Sequence, residues 1–218
     1  MSGTPSFLQD RRSVLLSGTA FALGGCGGIQ LLPTPMSPQL YVLRPQVMAP
    51  MGTPVGWRLS VGSPDAPASL DTERIALSRT QNTMDYFANA AWNDRVPLLV
   101  QRLLVQTFDA SNRILSVDRD TTGLENDYVL QTEIRDFEAR YDVPDAAPRI
   151  VIGIQAKLAR MPQRQIVASL NATQQAQAVE NNLDSIVSAF NQAAGAAIAQ
   201  IANWTLNAPA SSAPVMPG

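Results

Sequence analysis

The sequence predicts an α+β fold: a single domain in which a mostly antiparallel or mixed sheet of about seven strands is packed with one or two helices, a central helix and a long C-terminal one. Three observations predict it. Segments with an apolar residue at every second position recur between residues 55 and 172, the period of a half-buried strand. Two segments, after Asn93 and after Val179, change to the three-and-four spacing of a helix face. Clusters of proline, aspartate and asparagine fall between these segments, where the chain has to turn. The 218 residues suffice for one core and need no second domain.

Residues 1–25 read as a signal peptide. Arg11 and Arg12 form a basic flank, and Val14 to Leu23 an apolar middle too short for the roughly 20 residues that cross a hydrocarbon core. The run ends in Leu23, Gly24, Gly25 and Cys26, the pattern of a bacterial lipobox, and Cys26 is the single cysteine of the chain. Cleavage before Cys26 and a thioether to diacylglycerol, with an N-acyl chain on the new terminus, would leave no free thiol in an oxidising compartment. Two or three acyl chains anchor stably where one does not. Gly27 follows the cysteine, and in lipoprotein sorting glycine there allows export to the outer membrane, facing the periplasm. The two arginines fit a general secretory leader and a twin-arginine leader equally.

Residues 26–54 hold the lipidated cysteine and a proline-rich stretch that reads as an extended tether, interrupted at Tyr41-Val42-Leu43 by a candidate edge strand. The folded domain is expected over 55–206. Val55, Trp57, Leu59 and Val61 alternate with polar or small residues as a strand. Ile75–Arg79 and Met84–Phe87 read as a hairpin around the polar residues 80–83. A helix follows, with Asn93 or Asp94 as its cap, Pro97 in its first turn, and Val96, Leu99, Val100, Leu103, Leu104 and Phe108 on one face.

Ile114–Val117 reads as a further strand. In the long strand after it, Tyr128, Leu130, Thr132 and Ile134 share one parity and Phe137, Ala139 and Tyr141 the other, which places a bulge near Arg135-Asp136. Arg149–Leu158 and Gln165–Ala172 complete a meander of three long strands. The last helix carries an apolar stripe from Val179 through Leu183, Ile186, Val187, Phe190, Ala194, Ile198 and Ile201 to Trp204. The small residues Ala193–Ala197 admit a close neighbouring backbone, either in the core or at a homo-oligomer seam. Residues 207–218, rich in alanine, serine and proline, read as a disordered tail.

Composition removes several chemistries. There is no histidine, and with Cys26 acylated no thiol, so neither Ser-His-Asp nor Cys-His catalysis nor an ordinary zinc site can be assembled. The one lysine, Lys157, sits in an alternating strand rather than an active-site loop. Asp118, Asp120, Glu133, Asp136 and Glu138 lack the dense loop of a calcium site and read as a solvated face. Removing the leader's Asp10, Arg11 and Arg12 takes the net charge from −2 to −3, which gives no broad attraction to nucleic acid. The chain is therefore expected not to be an enzyme and to carry no cofactor or metal.

Leu70-Asp71-Thr72-Glu73-Arg74-Ile75-Ala76, followed by Asp85-Tyr86-Phe87-Ala88-Asn89-Ala90-Ala91-Trp92-Asn93-Asp94-Arg95-Val96-Pro97, resembles the ABC-type transport auxiliary lipoproteins (PqiC/YmbA-like) that accompany MCE-type lipid transporters. The resemblance covers nearly all of the mature domain, and Phe87 stands where many relatives have tyrosine. It implies an outer-membrane lipoprotein working with an MCE substrate-binding protein, a permease and an ATPase to move lipids or other apolar molecules between membranes. ATP hydrolysis falls to those partners, because this chain has no Gly-rich phosphate loop with a following lysine.

The candidate partner-binding residues are Tyr86, Phe87, Asn89, Trp92, Asp94 and Arg95. One reading makes Tyr86, Phe87 and Trp92 an aromatic anchor rimmed by Asn89 and Arg95. The other makes Trp92 a core residue, Asp94 a helix cap and Arg95 the partner of a carboxylate. Two further functions remain open: a carrier holding lipid in its own cleft, and a structural lipoprotein of another envelope complex.

Overall fold

The computed structural model describes residues 37–120, 123 and 125–211. The stretches read as signal peptide and lipobox, with Cys26, part of the loop after Asp120 and the end of the stretch read as a tail lie outside the described residues. Eight strands and two helices follow in the order β1 (Gln39–Tyr41), β2 (Val55–Val61), β3 (Arg74–Thr80), β4 (Thr83–Trp92), α1 (Val96–Ser111), β5 (Ile114–Arg119), β6 (Tyr128–Arg140), β7 (Arg149–Arg160), β8 (Gln165–Gln177) and α2 (Leu183–Ser211). The architecture is the expected α+β domain with one mixed sheet.

β6 organises that sheet. Along one edge it pairs antiparallel with β7 over its whole length, and β7 pairs in the same way with β8. Along its other edge it has two parallel partners in succession, β2 at Tyr128–Leu130 and β3 at Glu138–Arg140. Asp65 fills the gap between them: its N–H donates to the Thr132 carbonyl at 2.9 Å, and its own carbonyl accepts from Ile134 at 2.8 Å. β5 extends the sheet beyond β2, and β4 and then β1 extend it beyond β3.

The parity change in β6 is a bulge between Ile134 and Asp136. It keeps Leu130, Ile134, Phe137 and Ala139 buried on one side, although their spacing breaks strict alternation. It also lays the Asp136 carboxylate across Gly153 of β7, whose missing Cβ would stand 2.5 Å from Oδ2. A side chain at 153 would require the Asp136 carboxylate to shift.

Both helices join one core with the apolar side of the sheet. Leu99, Leu104 and Phe108 of α1 and Ile186, Phe190, Ile198 and Ile201 of α2 are buried there, with Ile150, Ile152, Ile154 and Leu158 of β7. Asn182 caps α2 by accepting from the Ser185 N–H at 2.9 Å. The apolar stripe of α2 is core as its spacing requires, with Trp204 half-buried at its far end and Val179 exposed before the helix begins.

Two boundaries differ from the sequence reading. The helix runs to Ser211, four residues beyond Asn207, with Leu206 and Ala208 buried, so alanine content there extends a helix. Part of the stretch read as tether is also structural. β1 pairs in parallel with β4, Leu43 is buried, and the chain then straps over α2, where the Arg44 N–H donates to Asn191 Oδ1 at 2.7 Å. The strap passes close over Gly195, where a Cβ would sit 3.2 Å from Pro45 and leave little room for a larger side chain. Arg113 holds its far end by donating to the carbonyls of Thr53 and Met51 at 3.0 and 3.2 Å. The small-residue surface of α2 thus receives the chain's own backbone.

Candidate functional site

The segment from Tyr86 to Arg95 begins in β4 and ends at the threshold of α1. Between the pairs Ala76–Tyr86 and Arg74–Ala91, β3 advances two residues while β4 advances five. The surplus is thrown out as a bulge at Phe87, Ala88 and Asn89, and Asn89 supplies the left-handed turn with φ of 54°. β4 then resumes at Ala90–Trp92, paired with Gln39–Tyr41 of β1. Asn89 is exposed and Phe87 half-buried.

The bulge turns Trp92 inward. Its indole is fully buried, edge-on to Phe137 at 6.2 Å and to Phe190 at 5.1 Å between ring centroids, while those two rings stack on each other at 5.4 Å. Its backbone N–H donates to the Glu73 carbonyl, and the indole Nε1 has no hydrogen-bond partner among the described residues. A side chain so enclosed cannot serve as an exposed anchor, and the aromatic triad of the sequence reading is replaced by a core residue.

Tyr86 is braced rather than free. The Arg74 guanidinium lies 3.6 Å over its ring, and its hydroxyl donates to the Ser69 carbonyl at 3.1 Å. Neither Asn93 nor Asp94 caps α1: Arg95 occupies the cap position without a side-chain bond. The Val96 N–H is satisfied by the Thr72 carbonyl at 3.2 Å, so tertiary contact does the work of a cap. Asp94 faces Arg102 at 3.7 Å, and Arg95 pairs with Asp71 of the loop before β3. Asp71 keeps its second oxygen buried and unpartnered among the described residues. Of the predicted site, Asn89 and Arg95 are thus exposed, Phe87 and Asp94 half-buried, Tyr86 braced and Trp92 in the core.

Two clefts lie elsewhere. One, of about 850 Å³, runs between the β3–β4 hairpin and the end of β6, and is lined by Arg79, Asp136, Glu138, Arg140, Asp142 and Arg149. Its charges are mutually paired: Arg140 meets both Glu138 and Asp136, and Arg149 meets Asp142 at 2.8 Å. The hydrogen bond from Arg140 to Glu138 raises the guanidinium pKa against the opposing cost of burial. The hydrogen bond from Arg149 likewise lowers the pKa of Asp142. The other cleft, of about 830 Å³, is on the outer face of the sheet, lined by Asp65, Glu133, Arg135, Gln155 and Lys157. Neither cleft contains a residue of the predicted site. The sequence marked Asp136 and Glu138 as a solvated face, but Glu138 is buried and strand alternation sets both carboxylates beside Arg140. Among the described residues no group of three or more acidic, histidine or cysteine side chains could hold a metal ion. No helix among them is long and apolar enough to cross a membrane.

Residues 39–202 match the model of the ABC-type transport auxiliary lipoprotein component family, and the chain belongs to that family. A crystal structure of a Xanthomonas campestris protein is similar with a TM-score of 0.74 and 25% identity, covering 79% of this chain and 97% of that one. A second crystal structure, of an uncharacterized protein, shares the fold at a TM-score of 0.60 and 17% identity, covering 78% of this chain and 99% of that one. An uncharacterized protein of Bradyrhizobium diazoefficiens is 26% identical over 172 residues, which span 76% of this chain and 44% of that protein's length.

Proposed function

We propose that the protein is a non-enzymatic, lipid-anchored component of an MCE-type ABC transporter, facing the periplasm from the outer membrane and serving the movement of lipids or other apolar molecules between membranes. The observation that carries this reading is the family match over residues 39–202. The Leu23-Gly24-Gly25-Cys26 lipobox supports the anchor, with diacylglycerol on Cys26 and Gly27 directing outer-membrane export. Its partners are an MCE substrate-binding protein, a permease and an ATPase.

Docking falls to the surface of Phe87, Asn89, Asp94 and Arg95. A loop backed by a buried indole and a braced tyrosine is pre-organised, which lowers the ordering cost of binding. A carrier would need an apolar cavity of several hundred Å³. The two large clefts are instead lined with many charged and polar side chains, which favours docking over carriage.

The test is crosslinking in the native bacterium followed by purification and mass spectrometry, with Cys26→Ser run in parallel. The expected result is enrichment of an MCE protein or its permease, and loss of membrane attachment in the variant. Recovery of the protein with bound phospholipid and no transporter subunit would overturn the docking reading. Membrane retention of the variant would overturn the anchor.

A further inference from the structure

β8 is a strand edge that the rest of the molecule leaves open. It pairs with β7 alone, and among the described residues no other strand pairs along its outer edge. Its thirteen residues contain no charge and no proline, and its one irregularity is a register shift beside Ala168. The other edges are blunted: β1 has three residues, β5 ends in Asp118 and Arg119, and β4 carries Asp85 and the Phe87–Asn89 bulge. Folded proteins protect long edges by such devices, because a bare edge recruits another strand. The absence of protection on β8 alone calls for an occupant.

We propose that the outer edge of β8 pairs antiparallel with β8 of a second copy of this chain, about a two-fold axis at Asn171. The register follows from the sequence of the strand. Centring on Asn171 aligns residues 168–174 of the two copies without crossing the register shift at Val167. On the outer face it sets Ser169 opposite Thr173 of the second copy, and Asn171 opposite its own equivalent. On the helix side, Leu170 falls opposite Ala172. Large residues meet small ones and no charge is buried, the condition for an isologous interface.

The charges flanking the strand select the same arrangement. Arg164 precedes β8 and Glu180 follows it, both exposed. An antiparallel pair brings Arg164 of each copy beside the Glu180 end of the other, whereas a parallel pair stacks like charges at both ends. The site is distinct from the Phe87–Arg95 surface, so docking and pairing do not compete.

The register can be read with a single thiol. In the full chain carrying Cys26→Ser, the axis places the two copies of residue 171 directly opposite, with Cα atoms about 4.5–5.5 Å apart, inside the window of about 4.4–6.8 Å that a disulfide requires. Residue 173 of one copy would stand about 14 Å from residue 173 of the other, at about 3.4 Å per residue. Mild oxidation should therefore convert most of Asn171→Cys to a linked dimer and leave Thr173→Cys monomeric. Linkage at 173 instead of 171, equal linkage at both, or linkage at neither would overturn the proposal. A second measurement is independent of thiol geometry. Asn171→Lys, exposed in the monomer, should keep the circular dichroism spectrum and lower self-association in sedimentation equilibrium at least tenfold; unchanged association would overturn it.

Discussion

The Trp92 indole stands edge-on to the Phe190 ring at 5.1 Å and 81°, which fixes the end of β4 to the N-terminal third of the last helix. Trp92→Ala should therefore cost about 3–5 kcal/mol of stability, as removal of a large buried aromatic does. Trp92→Phe should cost less and preserve partner capture. Thermal unfolding of both variants checks this, and a Trp92→Ala protein of wild-type stability with impaired capture would return the residue to a docking role.

Gly195 separates two effects that usually act together. Alanine there adds helix propensity of up to about 1 kcal/mol but presses on Pro45, 3.2 Å from the new Cβ, so Gly195→Ala should change stability little. Gly195→Leu cannot be accommodated and should lift the strap off α2, at a cost of about 1–3 kcal/mol. Limited proteolysis between residues 44 and 54, faster only in the leucine variant, is the check.

Gly153→Ala tests the β6 bulge. The new methyl group would drive Asp136 off β7 and away from Arg140, to which it is bound at 3.1 Å. The expected loss is about 1–3 kcal/mol, and Asp136→Ala in the same chain should recover most of it. A denaturant series on the two variants decides whether the carboxylate is the obstacle.

Acid should weaken the contact between β2 and the start of β6. Hydrogen bonds from the Arg58 side chain and backbone hold the Asp127 carboxyl below its usual range. A depressed folded pKa gives stability that is complete above the unfolded value of about 3.9 and is lost as pH falls through the lower folded value. Both side chains are more than a third exposed, so solvent screening keeps the contribution small. Asp127→Asn should be less stable than wild type at pH 7, and the difference should shrink below about pH 4.

Where the sequence was legible, one physical rule dominated locally. The parity switch from Ile134 to Phe137 marked the β6 bulge because both halves of that strand are long enough to show alternation. The stripe from Ile186 to Ile201 marked α2 because burial there is continuous. The Phe87–Asn89 bulge was hidden, since three inserted residues restore no periodic signal. The cap of α1 was misread for a related reason: Asn93 and Asp94 have the right chemistry, but the Thr72 carbonyl, brought by the fold, takes the Val96 N–H. Proline content made residues 44–54 look like a tether, whereas proline also suits a strap that hydrogen-bonds sparingly. Pairing order lay beyond periodicity altogether, and nothing in β2 or β3 announces that both line one edge of β6.

The strap also dictates an order of assembly. Its anchor on α2 joins Arg44 to Asn191, 147 residues apart in the chain. Contacts that close so long a loop form late, since the chain entropy they consume is recovered only once the distant element is in place. The strap can pair with β4 and Arg113 before α2 forms, but its Arg44–Asn191 bond and its seat over Gly195 wait for the last helix, so that closure is expected among the late folding steps.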